Sequence, residues 1–167
     1  MAKRADWGPS SVDIVAHALA LGAGPASEVP VAVRLMSLRL IANAYRFEGP
    51  RPLAARHCSD TIDALGNSME YESIHVRVAY ITLLYNACVH LRFQPNEDDK
   101  TACLATLLEM LDASALSGEA LYRVVCAVGT LVHNDQTLLE TAKELGLRQR
   151  LEAKEDASDK VQLAKTQ

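Results

Sequence analysis

A polar residue recurs on one helical beat at three places: Asn43 in LRLIANAY, Asn86 in TLLYNAC and Thr130 in CAVGTLV, at spacings of 43 and 44 residues. Each stretch is apolar on both sides of its polar residue, so the polar group sits in a helix that is otherwise core. A helical period of roughly 40–47 residues is the mark of armadillo and HEAT stacks. Such stacks work by holding other chains along a concave face.

The rest of the chain reads the same way. Helices are expected over about 11–22, 31–47, 53–65, 71–93, 98–113, 119–133 and 136–145, with a final turn in LRQRLEA. The run KTACLATLLEMLDA places apolar residues at 103, 104, 107, 108 and 111, a period near 3.6 residues. The breaks carry their own chemistry. Pro30 opens a helix, GPRP at 49–52 and QPNEDD at 94–99 interrupt, and Asn134-Asp135 caps the helix that follows. No stretch alternates with period two, so no strand is expected. The predicted fold is all-α, an armadillo- or HEAT-like right-handed helical solenoid over residues 11–151, with a disordered lead at 1–10 and a loose tail at 152–167. At 167 residues the chain is long enough for one domain with a real core. Its 5% aromatic content favours helix over sheet.

Helical geometry nominates the exposed chemistry. Residues three, four or seven apart share a face. Asn43 then shares a stripe with Met36, Arg39 and Arg46; Asn86 with Ala79, Thr82 and His90; Thr130 with Arg123, Cys126 and Ala127. Arg34 and Arg77 stand nine residues before Asn43 and Asn86, about half a turn away, and are left out of the stripe. An Asn amide can both donate to and accept from an extended peptide backbone. A ladder of such amides holds a peptide in register, and arginine forks pair with carboxylates beside it. An acidic peptide suits that arrangement. The alternative for Asn43 and Asn86 is to brace helix-to-helix packing through local hydrogen bonds.

Other chemistries find little support. The net charge of −4 argues against a broad nucleic-acid surface. The four cysteines, Cys58, Cys88, Cys103 and Cys126, contain no CxxC and read as buried free thiols. His57-Cys58 and Cys88-x-His90 lack zinc spacing, and no phosphate-loop, HExxH or GxSxG motif occurs. No cofactor, metal or catalytic group is expected. No apolar run reaches the length of about 20 residues that spans a bilayer.

Three stretches resemble the PUL domain, the C-terminal domain of the phospholipase-activating-protein family of ubiquitin-pathway adaptors. They are VAVRLMSLRLIANAYR, IHVRVAYITLLYNACVHL and EALYRVVCAVGTLVHNDQTLLETAKELGLRQRL. The last is the most specific, with an aromatic-Arg pair, an A-V-G-T-L run, a polar turn and A-K-x-L-G. The likeness covers about residues 30–151. The resemblance implies an armadillo-like stack without catalytic activity, whose groove binds the acidic, tyrosine-containing C-terminal tail of the valosin-containing AAA ATPase, in cytoplasm or nucleus. It maps a groove arginine onto Arg123, and an early basic position onto His17 or Ala16, where that contact is weakened. The peptide-binding set expected from geometry and resemblance together is Arg39, Asn43, Arg46, Thr82, Asn86, Arg123 and Thr130. Family domains run longer at the N-terminal end, so the expectation is a chain lacking the first repeats or a piece of a longer adaptor. A PUL module attached to a deSUMOylating-type cysteine peptidase or a thioredoxin-like domain, and a generic helical scaffold, are the competing readings.

Overall fold

The computed structural model describes residues 10–24, 27–66, 73–112, 116 and 118–154. Among them the chain is all-α, with nine helices: α1 (Ser10–Ala23), α2 (Val31–Arg46), α3 (Arg51–Arg56), α4 (Cys58–Gly66), α5 (Ile74–Leu91), α6 (Glu97–Asp112), α7 (Gly118–Val132), α8 (Gln136–Glu144) and α9 (Leu147–Glu152). The helices pack on near neighbours in the chain, as a helical solenoid requires. The chain divides into two compact units, Met1–Ala87 and Cys88–Gln167. The expected lead and tail, and the helix start at Tyr71, lie almost wholly outside the described residues. Ser10 already belongs to α1 and Glu152 to α9.

In the first unit, α1 and α2 come close because Gly22 lets them. A Cβ at Gly22 would stand 3.0 Å from Leu38 Cδ2, and Leu38 is fully buried. The Gly22 carbonyl is also a tie point. It accepts from Arg34 Nε (3.4 Å) and from the Tyr80 hydroxyl (3.0 Å), while Arg34 Nη2 donates to that hydroxyl (3.3 Å). Arg34 is wholly buried, so its guanidinium serves as a staple and not as a surface charge. Pro30 opens α2, its carbonyl accepting from Arg34 N. The face Leu38, Ile41, Ala42 and Tyr45 turns inward. Burying an aliphatic side chain of this size stabilises by about 1.5–3 kcal/mol. The end of α2 is capped from outside: Arg51 Nε donates to Tyr45 O (2.9 Å) and Nη2 to Arg46 O (3.2 Å). That places positive charge on orphan carbonyls at the negative end of the helix dipole.

The helix expected over 53–65 is two helices, broken at His57 (φ −108°, ψ 24°). The backbone bonds mark the break. His57 N donates to Ala54 O (3.0 Å), an i→i−3 bond that closes α3, and Thr61 N donates to His57 O (2.9 Å) as the opening bond of α4. Thr61 Oγ1 donates to the same carbonyl (2.6 Å), and His57 Nδ1 lies 3.2 Å from Asp60 Oδ2.

In the second unit, Asn96 opens α6: its Oδ1 accepts from Asp99 N (3.1 Å), and Glu97, Asp98 and Asp99 fill the first turn. The helix buries Cys103, Leu104, Leu107, Leu108 and Leu111. After α7, Asn134 adopts the left-handed region (φ 62°), which Asn tolerates better than most residues. Asp135 then caps α8, accepting from Leu138 N at 3.0 Å. Its second oxygen takes a bond from Lys100 Nζ (3.0 Å), which also reaches Glu97 Oε1 (3.0 Å). Lys100 is buried, and its pKa is raised, first by the Glu97 bond and then by Asp135. Asp135 is held below the usual carboxylate range, first by the Leu138 N–H and then by Lys100. Gly146, at φ 80°, turns the chain into α9, the final turn of the sequence reading. There Arg150 Nη1 donates to Leu108 O (2.9 Å) and to Asp112 Oδ2. None of the four cysteines, all among the described residues, is in a disulfide. Cys58, Cys88 and Cys103 are buried, Cys126 only partly, and the sulfurs of Cys88 and Cys103 lie 3.5 Å apart.

Candidate peptide-binding site

The two faces of α2 differ in kind. Opposite its buried face, Met36, Arg39, Leu40, Asn43 and Arg46 are all exposed. Arg39, Asn43 and Arg46 are separated by four and three residues, so they stand one above another on a single stripe. Arg46 leans over Phe47, its guanidinium carbon 5.9 Å from the ring centroid. Asn43 stands at the edge of a cavity of about 300 Å³ between α1, α2 and α3. Ile14, Leu40, Phe47 and Leu53 line that cavity with it.

Asn86 and Thr82, one turn apart on α5, are half-buried. Asn86 Nδ2 donates to the Ala42 carbonyl at 2.9 Å, next to Asn43 in the chain. The bracing role is therefore real for Asn86, and it consumes one of the two amide protons. Thr82 Oγ1 donates to Val78 O at 2.7 Å, a bond to its own helix. Asn43 and Asn86 share a position in the repeat but not an environment.

In the second unit, Arg123 and Thr130 lie two turns apart on α7, both partly exposed. Arg123 Nε donates to Glu119 Oε1 at 3.2 Å, an i,i+4 pair on the helix surface. Any carboxylate approaching Arg123 meets that neighbour first. His17 and Ala16 are exposed on α1. Arg34, set apart by its nine-residue offset, is buried, and Arg77 is half-buried with its Nε shielded from solvent and without a hydrogen-bond partner.

Sequence reasoning missed the apolar cavity beside Asn43. One signal for it was present. The two phenylalanines of the chain, Phe47 and Phe93, each follow an arginine at a helix end, and both are exposed with a guanidinium over the ring. Among the described residues, no group of three or more His, Cys, Asp or Glu is placed to hold a metal ion. No described helix is long and apolar enough to cross a membrane. A family model described as the PUL domain matches residues 7–166 of the chain, well beyond the 30–151 stretch that carries the resemblance.

Proposed function

The chain belongs to the PUL domain family, a family of helical protein-interaction domains, and on that premise we propose that it is a non-catalytic adaptor domain binding the acidic C-terminal tail of the valosin-containing AAA ATPase. In this reading it recruits the unfoldase to ubiquitin-dependent degradation, in cytoplasm or nucleus. The observation that carries the proposal is the family match over nearly the whole chain. The geometry supports it in each unit separately. α2 offers Arg39, Asn43 and Arg46 on one exposed stripe, with Thr82 and Asn86 of α5 as further contacts. α7 offers Arg123 and Thr130. Guanidiniums supply charge-assisted, bidentate bonds to carboxylates, and the amides hold peptide backbone.

The test is a fluorescence-anisotropy titration with a labelled peptide of that tail. Wild type is expected to bind, and Arg123→Glu and Arg39→Glu each to lose about 1–3 kcal/mol, the worth of a hydrogen bond to a charged group. No binding by wild type, or binding by both variants as tight as that of wild type, rejects the reading.

A further inference from the structure

The cavity between α1, α2 and α3 is unused by the hydrogen-bonded framework around it. Ile14, Leu40 and Phe47 are 53%, 45% and 57% exposed, three large apolar side chains gathered on one surface. Exposed apolar residues are ordinary singly and informative when clustered. At about 300 Å³ the space suits one bulky side chain. Asn43 is the one polar side chain among the described lining residues. Arg39 and Arg46 immediately precede Leu40 and Phe47 in the chain, and α2 carries no carboxylate.

We propose that this cavity is an anchor site for one bulky apolar side chain of an extended peptide, with neighbouring carboxylates paired to Arg39 and Arg46. The proposal rests on the peptide-binding reading above and narrows its ligand. Charge complementarity selects the occupant. An uncharged apolar helix would cover Leu40 and Phe47 and leave both guanidiniums without carboxylates. A purely acidic peptide would pair the guanidiniums and leave the cavity in water. A segment carrying both satisfies both. Spacing adds a register. Arg39 and Arg46 are seven residues apart on a helix, about 10 Å along its axis, which about three residues of extended chain span. The recognised pattern is two acidic residues about three positions apart with the apolar residue between them.

The test compares labelled peptides Asp-Asp-Leu-Asp-Asp and Asp-Asp-Gly-Asp-Asp by anisotropy at low salt. Wild type, Phe47→Ala, Leu40→Ser and Arg46→Glu are used, with far-UV circular dichroism to confirm folding. Wild type is expected to bind the Leu peptide at least about tenfold more tightly than the Gly peptide, the worth of burying one aliphatic side chain. Phe47→Ala and Leu40→Ser, both at exposed positions, are expected to erase that preference. Arg46→Glu is expected to weaken both peptides. Equal binding of the two peptides by wild type overturns the proposal, as does no binding of either at millimolar concentration. If the ATPase tail binds through Arg123 while Leu and Gly peptides are indistinguishable, the anchor falls and the adaptor reading stands. If the Leu preference appears and vanishes in Phe47→Ala while the tail fails to bind, the anchor stands and the tail assignment falls.

Discussion

Asn43 and Asn86 show how one residue type at one repeat position divides its work. Asn43 is exposed, whereas Asn86 donates to Ala42 O. Asn86→Ala should therefore cost about 0.5–1.5 kcal/mol of stability in urea denaturation, while Asn43→Ala should leave the midpoint unchanged and weaken tail binding instead. Arg123 carries its own competitor in Glu119. A surface pair of this kind is worth only a few tenths of a kcal/mol, so Glu119→Gln should tighten tail binding about twofold, read in the same anisotropy assay. The buried Lys100 bridge makes a prediction in pH. Asp135 titrates below its unfolded value, so its contribution is complete above about pH 4 and lost as pH falls through the depressed folded value. Lys100 titrates above its unfolded value, so its contribution is complete below about pH 10 and lost as pH rises through the raised one. Asp135→Asn should cost about 1–3 kcal/mol at pH 7. The gap between wild-type and variant melting temperatures should narrow below about pH 4 and stay constant from pH 5 to 9.

At the scale of elements, the closest constraint is the α1–α2 approach at Gly22. A side chain there meets Leu38 Cδ2 and Cγ at 3.0 and 3.2 Å, atoms held in a packed core. Gly22→Val should destabilise by about 1–3 kcal/mol as an overpacking change. Adding Leu38→Ala should recover part of that loss, a coupling that a thermal-melt double-mutant cycle measures. Helix starts were the most legible features. Pro30, the Asn96–Asp99 turn and the Asp135 cap act through bonds within a few residues, so the sequence displays them directly. The break at His57 was not legible, because RPLAARHCSDTIDALG has continuous helical patterning. It shows only in the backbone, where the His57 N–H turns to Ala54 O three residues back. The partition of α2 into a core face and an exposed one follows from spacing. That the exposed face borders a cavity depends on where α1 and α3 come to lie.

For the whole molecule, the net charge of −4 hides the local sign at the proposed site, where the exposed charges on α2 are both arginine. An acidic tail meeting that surface should lose affinity as salt rises from about 0.05 to 0.5 M, because screening shortens the range of exposed charges. A titration whose dissociation constant does not move with salt would exclude Arg39 and Arg46 as carboxylate partners. The periodic apolar pattern, the near-equal repeat spacing and the closing A-V-G-T-L motif were enough to establish an all-α protein of the PUL family. They are properties of local chain geometry, in which a residue's face follows from its number alone. What the sequence left undecided was which polar groups remain available to a ligand. Burial of Arg34, engagement of Asn86 by the Ala42 carbonyl and the opening beside Asn43 arise from atoms 12 to 46 residues apart. Only the packed structure brings such atoms within hydrogen-bonding distance, and no spacing rule along the chain specifies that encounter.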